Sequence, residues 1–143
     1  MDVDIVASIS DEERDRIVRR FEKDFDLLQS HKDDMPMCLV TIWRHIFNYK
    51  DEPDILQLDL IIVPDDYSGK IMNRKIEIEE YGMKIYVISK EDLIVLKLAS
   101  FRNQDKADIE KILEHDPKLD WFYLENTAKK YGKNWDFIYS LRK

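Results

Sequence analysis

Glycine is scarce in this sequence. Only three of the 143 residues are glycine, Gly69, Gly82 and Gly132, and they lie far apart. The Walker loop and the G-x-G-x-x-G turn need several closely spaced glycines, because the backbone itself must approach the phosphate. The sequence therefore contains neither of these phosphate-binding loops.

Cysteine and long apolar segments are also nearly missing. The single cysteine, Cys38, has no partner for an internal disulfide, and His31, His45 and His115 share no spacing typical of a zinc site. The acidic N-terminal residues do not resemble a signal peptide, and no apolar stretch approaches the roughly 20 residues of a membrane helix. We therefore expect a cytoplasmic protein with no membrane segment.

A net basic charge is the third absence. Lys and Arg number 23 against 30 Asp and Glu, which gives a net charge of −7. This balance excludes a basic surface for general DNA binding, although a local basic cleft stays open. With 44% hydrophobic residues and this length, the chain is expected to fold as one domain, residues 1–143.

The hydrophobic periodicity predicts an α+β fold with a mixed sheet and flanking helices. Residues 1–88 are expected to form the sheet-rich part, and residues 89–143 the helical part. Ser10 and Glu13 form a capping box that starts the first predicted helix. The predicted strands cover 3–8, 37–49, 55–63, 75–80 and 83–88. The predicted helices cover 11–28 and four segments after Ser89, with a polar loop at 31–34. The pattern of residues 65–74 is ambiguous, with a short helix as one interpretation.

Three carboxylates have a spacing that suggests a cation site. Asp2 and Asp4 alternate along one strand, so both side chains leave the same face. Asp59 lies inside the apolar strand 55–63, where a charge is costly unless it is paired or faces a cleft. If the two strands are neighbours, the three carboxylates could bind Mg²⁺ as phosphoryl-transfer sites do. The alternative is a solvated chain terminus and an Asp59 on the open face of an edge strand.

A lysine interrupts the apolar stripe of a predicted helix. Leu93, Lys97 and Phe101 are four residues apart, so Lys97 projects from the stripe. Its ammonium either reaches a phosphate or extends into water while its stem packs. Asp105 is expected to be the N-cap of the following helix, and Asp108 suits the positive start of that helix.

These two patterns together resemble the nucleotidyltransferase superfamily. The segment Asp2-Val3-Asp4 and the strand segment Leu58-Asp59-Leu60 resemble its D-x-D motif and third aspartate. The stretch from Glu91 to Asp108 resembles the lysine motif of the abortive-infection, or type IV toxin, branch and its uncharacterised relatives. The resemblance covers roughly residues 2–115.

The resemblance implies a fold, a reaction and a set of site residues. It implies a split mixed sheet with flanking helices and Mg²⁺-dependent transfer of a nucleotide from NTP to a hydroxyl of RNA, protein or a small molecule. Asp2 and Asp4 would hold Mg²⁺ and the triphosphate, and Asp59 would act as the third metal ligand or as the base toward the acceptor hydroxyl. Lys97 would contact the nucleotide phosphate, Asp108 would orient Lys97 or the nucleotide, and Arg102 and Asp105 are weaker candidates.

The resemblance also implies a Gly-Gly or Gly-Ser turn before the D-x-D motif, and this sequence lacks that turn. Gln104 stands where relatives often carry arginine. The second hypothesis is therefore a truncated, inactive nucleotidyltransferase-like module that binds a partner such as an antitoxin. A sheet edge left open by a missing first strand predicts a homodimer. A nuclease that uses the same carboxylates is a third, weaker hypothesis.

Overall fold

The computed structural model describes residues 1–35, 40–115 and 118–142. The chain divides into two compact units, Met1–Ser68 and Gly69–Lys143, and each is described by itself. The prediction of one domain stays a prediction. In chain order the elements are β1 (Asp2–Ala7), α1 (Asp11–Phe21), β2 (Phe25–Met35), β3 (Val40–Tyr49), β4 (Ile55–Ile62), α2 (Asp65–Arg74), β5 (Ile76–Glu80), β6 (Met83–Val87), α3 (Lys90–Ser100), α4 (Asn103–His115), α5 (Trp121–Thr127) and α6 (Trp135–Leu141).

The first unit is a four-stranded mixed sheet with the order β1-β4-β3-β2. β1 runs parallel to β4, and the pairs β4–β3 and β3–β2 are antiparallel, which confirms the predicted hairpin of β3 and β4. Helix α1 starts at the capping box of Ser10 and Glu13, as predicted. Its Val18 packs in one apolar cluster with Phe47 and three leucines of β4, at positions 56, 58 and 60. One face of the sheet is thus the core face.

The prediction was wrong between residues 22 and 34. Helix α1 ends at Phe21, and Phe25 begins a strand that continues through the residues expected to form a loop. Phe25 and Leu28 fit a helical spacing by coincidence. The register of β2 against β3 shifts between Leu27 and Gln29, so β2 contains a bulge that hides its alternation from sequence patterns. Residues 37–39 of the predicted strand and Pro117 lie outside the described residues.

The second unit contains the predicted β5–β6 hairpin and the helices of the C-terminal half. Helix α3 lies at its centre, with Ile94, Val95 and Leu98 fully buried. After α5 the chain continues as a π-helical turn, Ala128–Gly132, rather than as the single helix expected from residue 119. A Cβ on Gly132 would lie 2.8 Å from the carbonyl oxygen of Val95, so the close approach of this turn to α3 requires glycine.

The architecture confirms the predicted α+β class, with a mixed sheet, flanking helices and a helical C-terminal half. The ambiguous segment 65–74 is a helix, α2, and it contains the boundary between the two units. Within the described ranges, none of the helices combines the length and the apolar character needed to span a bilayer.

Candidate functional site

The two carboxylate strands are neighbours in the sheet. Asp4 of β1 stands directly opposite Asp59 of β4, and Asp2 stands opposite Gln57. Because side chains alternate along a strand, Asp2, Asp4 and Asp59 share one sheet face, opposite the core face that carries Leu58. We call this the carboxylate face. The predicted adjacency of the two strands is therefore confirmed, whereas the role of the three aspartates toward a metal stays a prediction.

The charge of Asp59 is paired with an arginine, Arg44, that was not among the predicted site residues. Arg44 of β3 stands opposite Asp59, and its Nε and Nη2 donate hydrogen bonds of 2.9 and 2.7 Å to the two carboxylate oxygens. The Asp59 residue is only 7% exposed, so the pair meets the requirement that a buried charge be paired. The hydrogen bond to Asp59, and then the charges of Asp59, Asp4 and Asp2, raise the pKa of Arg44.

The carboxylates of this face are suitable ligands for a divalent cation, but Arg44 competes with a cation for Asp59. Carboxylate oxygens are the hard donors that Mg²⁺ prefers, and Asp2 and Asp4 are both exposed on β1. Asp59, however, directs both of its oxygens toward the guanidinium of Arg44. In the ranges that the structure describes, no three His, Cys, Asp or Glu side chains are grouped as a metal site requires. A cation at this face would have to share Asp59 with Arg44 or displace it.

The second candidate site is a charge network at the corner between α3 and α4, in the second unit. Lys97 Nζ donates a 2.8 Å hydrogen bond to Asp108 and lies 3.8 Å from Asp105. Gln104 donates to the other oxygen of Asp108, at 2.8 Å. The hydrogen bond from Lys97 lowers the pKa of Asp108. The resemblance implied that Asp108 orients Lys97 or the nucleotide. The two side chains are in contact, and the role of Asp108 stays a prediction.

Asp105 is the buried member of this network, at 2% exposure. It accepts hydrogen bonds from Ser100 Oγ at 2.6 Å and from the backbone and Nε of Arg102 at 2.9 and 2.8 Å. Burial by itself raises the pKa of Asp105, but the hydrogen bonds from Arg102 and Ser100 outweigh it and lower the pKa. The prediction that Asp105 is the N-cap was wrong. The helix begins at Asn103, and Asp105 reaches back to the N–H of Arg102.

The core face of the sheet holds a buried histidine. His45 is 2% exposed, its Nδ1 is 2.8 Å from Ser30 Oγ, and its Nε2 is buried without a hydrogen-bond partner. Burial, followed by the charge of Arg14, lowers the pKa of His45. The residue lines a groove of about 270 Å³ between α1 and the strands β2 and β3. Its position between Arg44 and an apolar segment gave no signal for a functional role.

Another buried polar cluster joins the start of α3 to α5. Asp92 is fully buried and accepts hydrogen bonds from Ser89 Oγ at 2.7 Å and from Tyr123 Oη at 2.6 Å. Glu91 pairs with Arg74 at 3.3 Å, and the guanidinium of Arg74 covers the ring of Tyr123 at 3.9 Å. Because each carboxylate has a strong partner, this cluster serves the packing of α5 against α3.

Comparison with known proteins identifies the family. The chain is similar in fold to two crystal structures from Helicobacter pylori: JHP933, and a protein described as a putative nucleotidyltransferase. Both are 20% identical in sequence, with TM-scores of 0.51 and 0.52. The chain is covered over 97% and 98% of its length, but it spans only 60% and 63% of those two chains.

The similarity to these two structures shows that the fold is nucleotidyltransferase-like, as the resemblance implied. No protein of curated function is similar enough in sequence to match. The sequence profile of the family DUF6036, described as a nucleotidyltransferase of unknown function, matches residues 2–140. Since this match covers nearly all of the sequence, the chain belongs to the DUF6036 family of nucleotidyltransferases of unknown function.

Proposed function

We propose that this chain catalyses Mg²⁺-dependent transfer of a nucleotide from NTP to an acceptor hydroxyl. The observation that carries the proposal is the register of β1 against β4, which places Asp4 opposite Asp59 on the carboxylate face. Membership of a nucleotidyltransferase family supports the same reaction class.

The proposed roles follow from the chemistry of each side chain. Asp2, Asp4 and Asp59 would hold Mg²⁺, which when bound neutralises charge on the triphosphate. Asp59 accepts the proton of the acceptor hydroxyl as the new oxygen–phosphorus bond forms and pyrophosphate leaves. Lys97 supplies a positive charge to a nucleotide phosphate, and Asp108 holds its ammonium in place at 2.8 Å. Arg102 is a second candidate for nucleotide binding.

The acceptor and the biological setting belong to the proposal as well. RNA, a protein and a small molecule all offer a hydroxyl that this reaction can modify. The resemblance of residues 91–108 to type IV toxins favours a toxin-type enzyme with an antitoxin as partner. β1 lies at an edge of the four-stranded sheet, and pairing of this edge with a second copy would give a homodimer, which light scattering measures.

The test is NTP binding in the presence of Mg²⁺, measured by calorimetry and followed by transfer of labelled nucleotide. Asp59→Asn is expected to abolish transfer, because an amide cannot take the proton and is a poorer cation ligand. Asp51→Asn, in the exposed turn between β3 and β4, is the matched control and is expected to retain transfer. Absence of both binding and transfer in the unmodified chain, with every NTP and with a version extended upstream, would contradict the proposal.

A second candidate function is a non-catalytic module for binding or oligomerisation. The observation in its favour is that Arg44 engages both oxygens of Asp59, so the fold is electrostatically satisfied at this aspartate without a cation. The same calorimetry separates the two functions. A binding module binds its protein partner but gives no heat with Mg²⁺ and NTP.

A further inference from the structure

Arg44 occupies an unusual position for a side chain that only stabilises a sheet. It projects from β3 onto the carboxylate face, at the register position opposite Asp59, with 37% of its side chain exposed. Its two hydrogen bonds form the bidentate fork that gives the strongest arginine–carboxylate pairs. Of Asp2, Asp4 and Asp59, Arg44 therefore holds the one that is buried.

The charges of β1 extend the influence of Arg44 beyond Asp59. The carboxylates of Asp2 and Asp4 are both near enough to favour the charged guanidinium, in addition to Asp59. By the same Coulombic interaction, the guanidinium repels any second cation that approaches these three carboxylates. A divalent ion at this face thus loses an oxygen donor and meets a fixed positive charge.

A nucleotide triphosphate would change the competition between Arg44 and a divalent cation for Asp59. Phosphate oxygens are strong bidentate partners for arginine, and Arg44 is exposed enough to reach them. A cation that arrives with the triphosphate brings additional oxygen ligands and offers the guanidinium an anion in exchange for Asp59. Both obstacles to cation binding are reduced in the same event.

We propose that Arg44 is a positioning residue that keeps the carboxylate face closed to a free divalent cation and opens it to a cation that arrives with a nucleotide triphosphate. This inference rests on the proposed function, because it assumes that Asp2, Asp4 and Asp59 bind the cation. A purely structural Arg44–Asp59 pair makes a different prediction, since its loss would weaken the fold without strengthening cation binding.

The experiment measures Mn²⁺ binding by electron paramagnetic resonance, with and without a non-hydrolysable NTP analogue. In the unmodified chain, Mn²⁺ alone is expected to bind weakly, and the analogue is expected to tighten binding at least tenfold. In Arg44→Gln, Mn²⁺ alone is expected to bind about tenfold more tightly than in the unmodified chain, because one nearby positive charge is removed. The analogue should then add much less.

Two further variants make the measurement specific. Arg20→Gln removes one exposed arginine of α1 and changes the net charge equally, so it is expected to leave Mn²⁺ binding unchanged. Arg44→Lys keeps the charge but lacks the fork, and it should retain most of the exclusion of free Mn²⁺ even if Arg44→Gln folds poorly. Circular dichroism confirms that each variant is folded.

The outcomes separate the inference from the proposed function. Equal Mn²⁺ affinity in the unmodified chain and in Arg44→Gln, with the analogue still promoting binding, overturns the role of Arg44 alone. Tighter Mn²⁺ binding in Arg20→Gln, equal to that in Arg44→Gln, also overturns it, because the effect would then be one of net charge. Failure of every variant to bind Mn²⁺ or the analogue overturns the proposed function together with the inference.

Discussion

The two charged clusters of the candidate sites are built in different ways. The Arg44–Asp59 pair joins two strands and exists only because the register of β3 against β4 places these residues opposite each other. The network of Lys97, Asp105 and Asp108 lies within one helix–helix corner, where Phe101 ends α3 in a left-handed conformation, with a φ of 50°. The strand pair depends on tertiary pairing, whereas the corner network depends mainly on a short stretch of chain.

This difference separates a site that can exchange partners from one that is structurally fixed. Asp59 has one strong partner, Arg44, whose side chain is partly exposed. Asp105 accepts four hydrogen bonds, counting a longer one of 3.3 Å from Arg102 Nη2, and is nearly inaccessible. We therefore expect exchange of ligands at the carboxylate face and rigidity at the helix corner.

The largest effect is expected from Asp105→Ala. The substitution leaves the N–H of Arg102 and the hydroxyl of Ser100 without their acceptor, and we expect the free energy of unfolding to fall by about 3 kcal/mol. Urea denaturation followed by circular dichroism measures this change. A loss below about 1 kcal/mol would show that the corner is held by apolar packing and would remove the contrast with Asp59.

His45 and the pair of Asp105 and Asp108 should affect the stability of the fold in different pH ranges. The pKa of His45 is lowered in the folded state, so the unfolded chain takes up this proton first, and stability falls as the pH drops below about 6.5. The pKa values of Asp105 and Asp108 are also lowered, so their stabilising contribution is fully present above about pH 3.8 and is lost progressively as the pH falls below that value.

Denaturation at a series of pH values tests this separation. His45→Gln removes the titrating group and is expected to flatten the profile between pH 7 and 5, while the acid limb stays unchanged. Persistence of the slope between pH 7 and 5 in this variant would assign the effect to another group.

The smallest effect on stability is expected from Asp108→Asn. Asp108 is 29% exposed and its partner Lys97 is 22% exposed, and surface ion pairs of this kind contribute less than about 1 kcal/mol. The same variant should nevertheless weaken NTP binding if Asp108 orients Lys97. Calorimetry with NTP and urea denaturation together distinguish the positioning role from a structural one, and Glu125→Gln, which loses an exposed pair with Lys129, is the matched control.

Patterns within single elements made much of the fold predictable from the sequence. Periodicity and caps located α1, α3 and both hairpins, and the alternation of Asp2 and Asp4, with Asp59 in an apolar strand, located the carboxylate face. These features depend on neighbouring residues, which a sequence displays directly. The contact between Lys97 and Asp108 followed only from the family resemblance.

The missed features depend on register, which a sequence does not display. β2 was not predicted because its bulge interrupts the alternation that identifies a strand. Arg44 was missed although it sits among apolar residues of β3, just as Asp59 sits among those of β4. Applying the same argument to both, that a charge inside an apolar strand needs a partner, would have suggested the pair but not its register.

The bulge in β2 acts as a change of phase within one strand. At Phe25 and Leu27 the odd-numbered residues face α1, and at Ser30 and Lys32 the even-numbered residues do, with Leu28 as the extra residue. A deletion at Leu28 would remove the bulge and leave every pairing with β3 intact. In β3, by contrast, the gain or loss of one residue between Arg44 and Phe47 would move the side chains on one side of the change to the opposite face of the sheet. We therefore expect a one-residue deletion to be tolerated at the bulge of β2 but not in β3, which carries Arg44, the partner of Asp59.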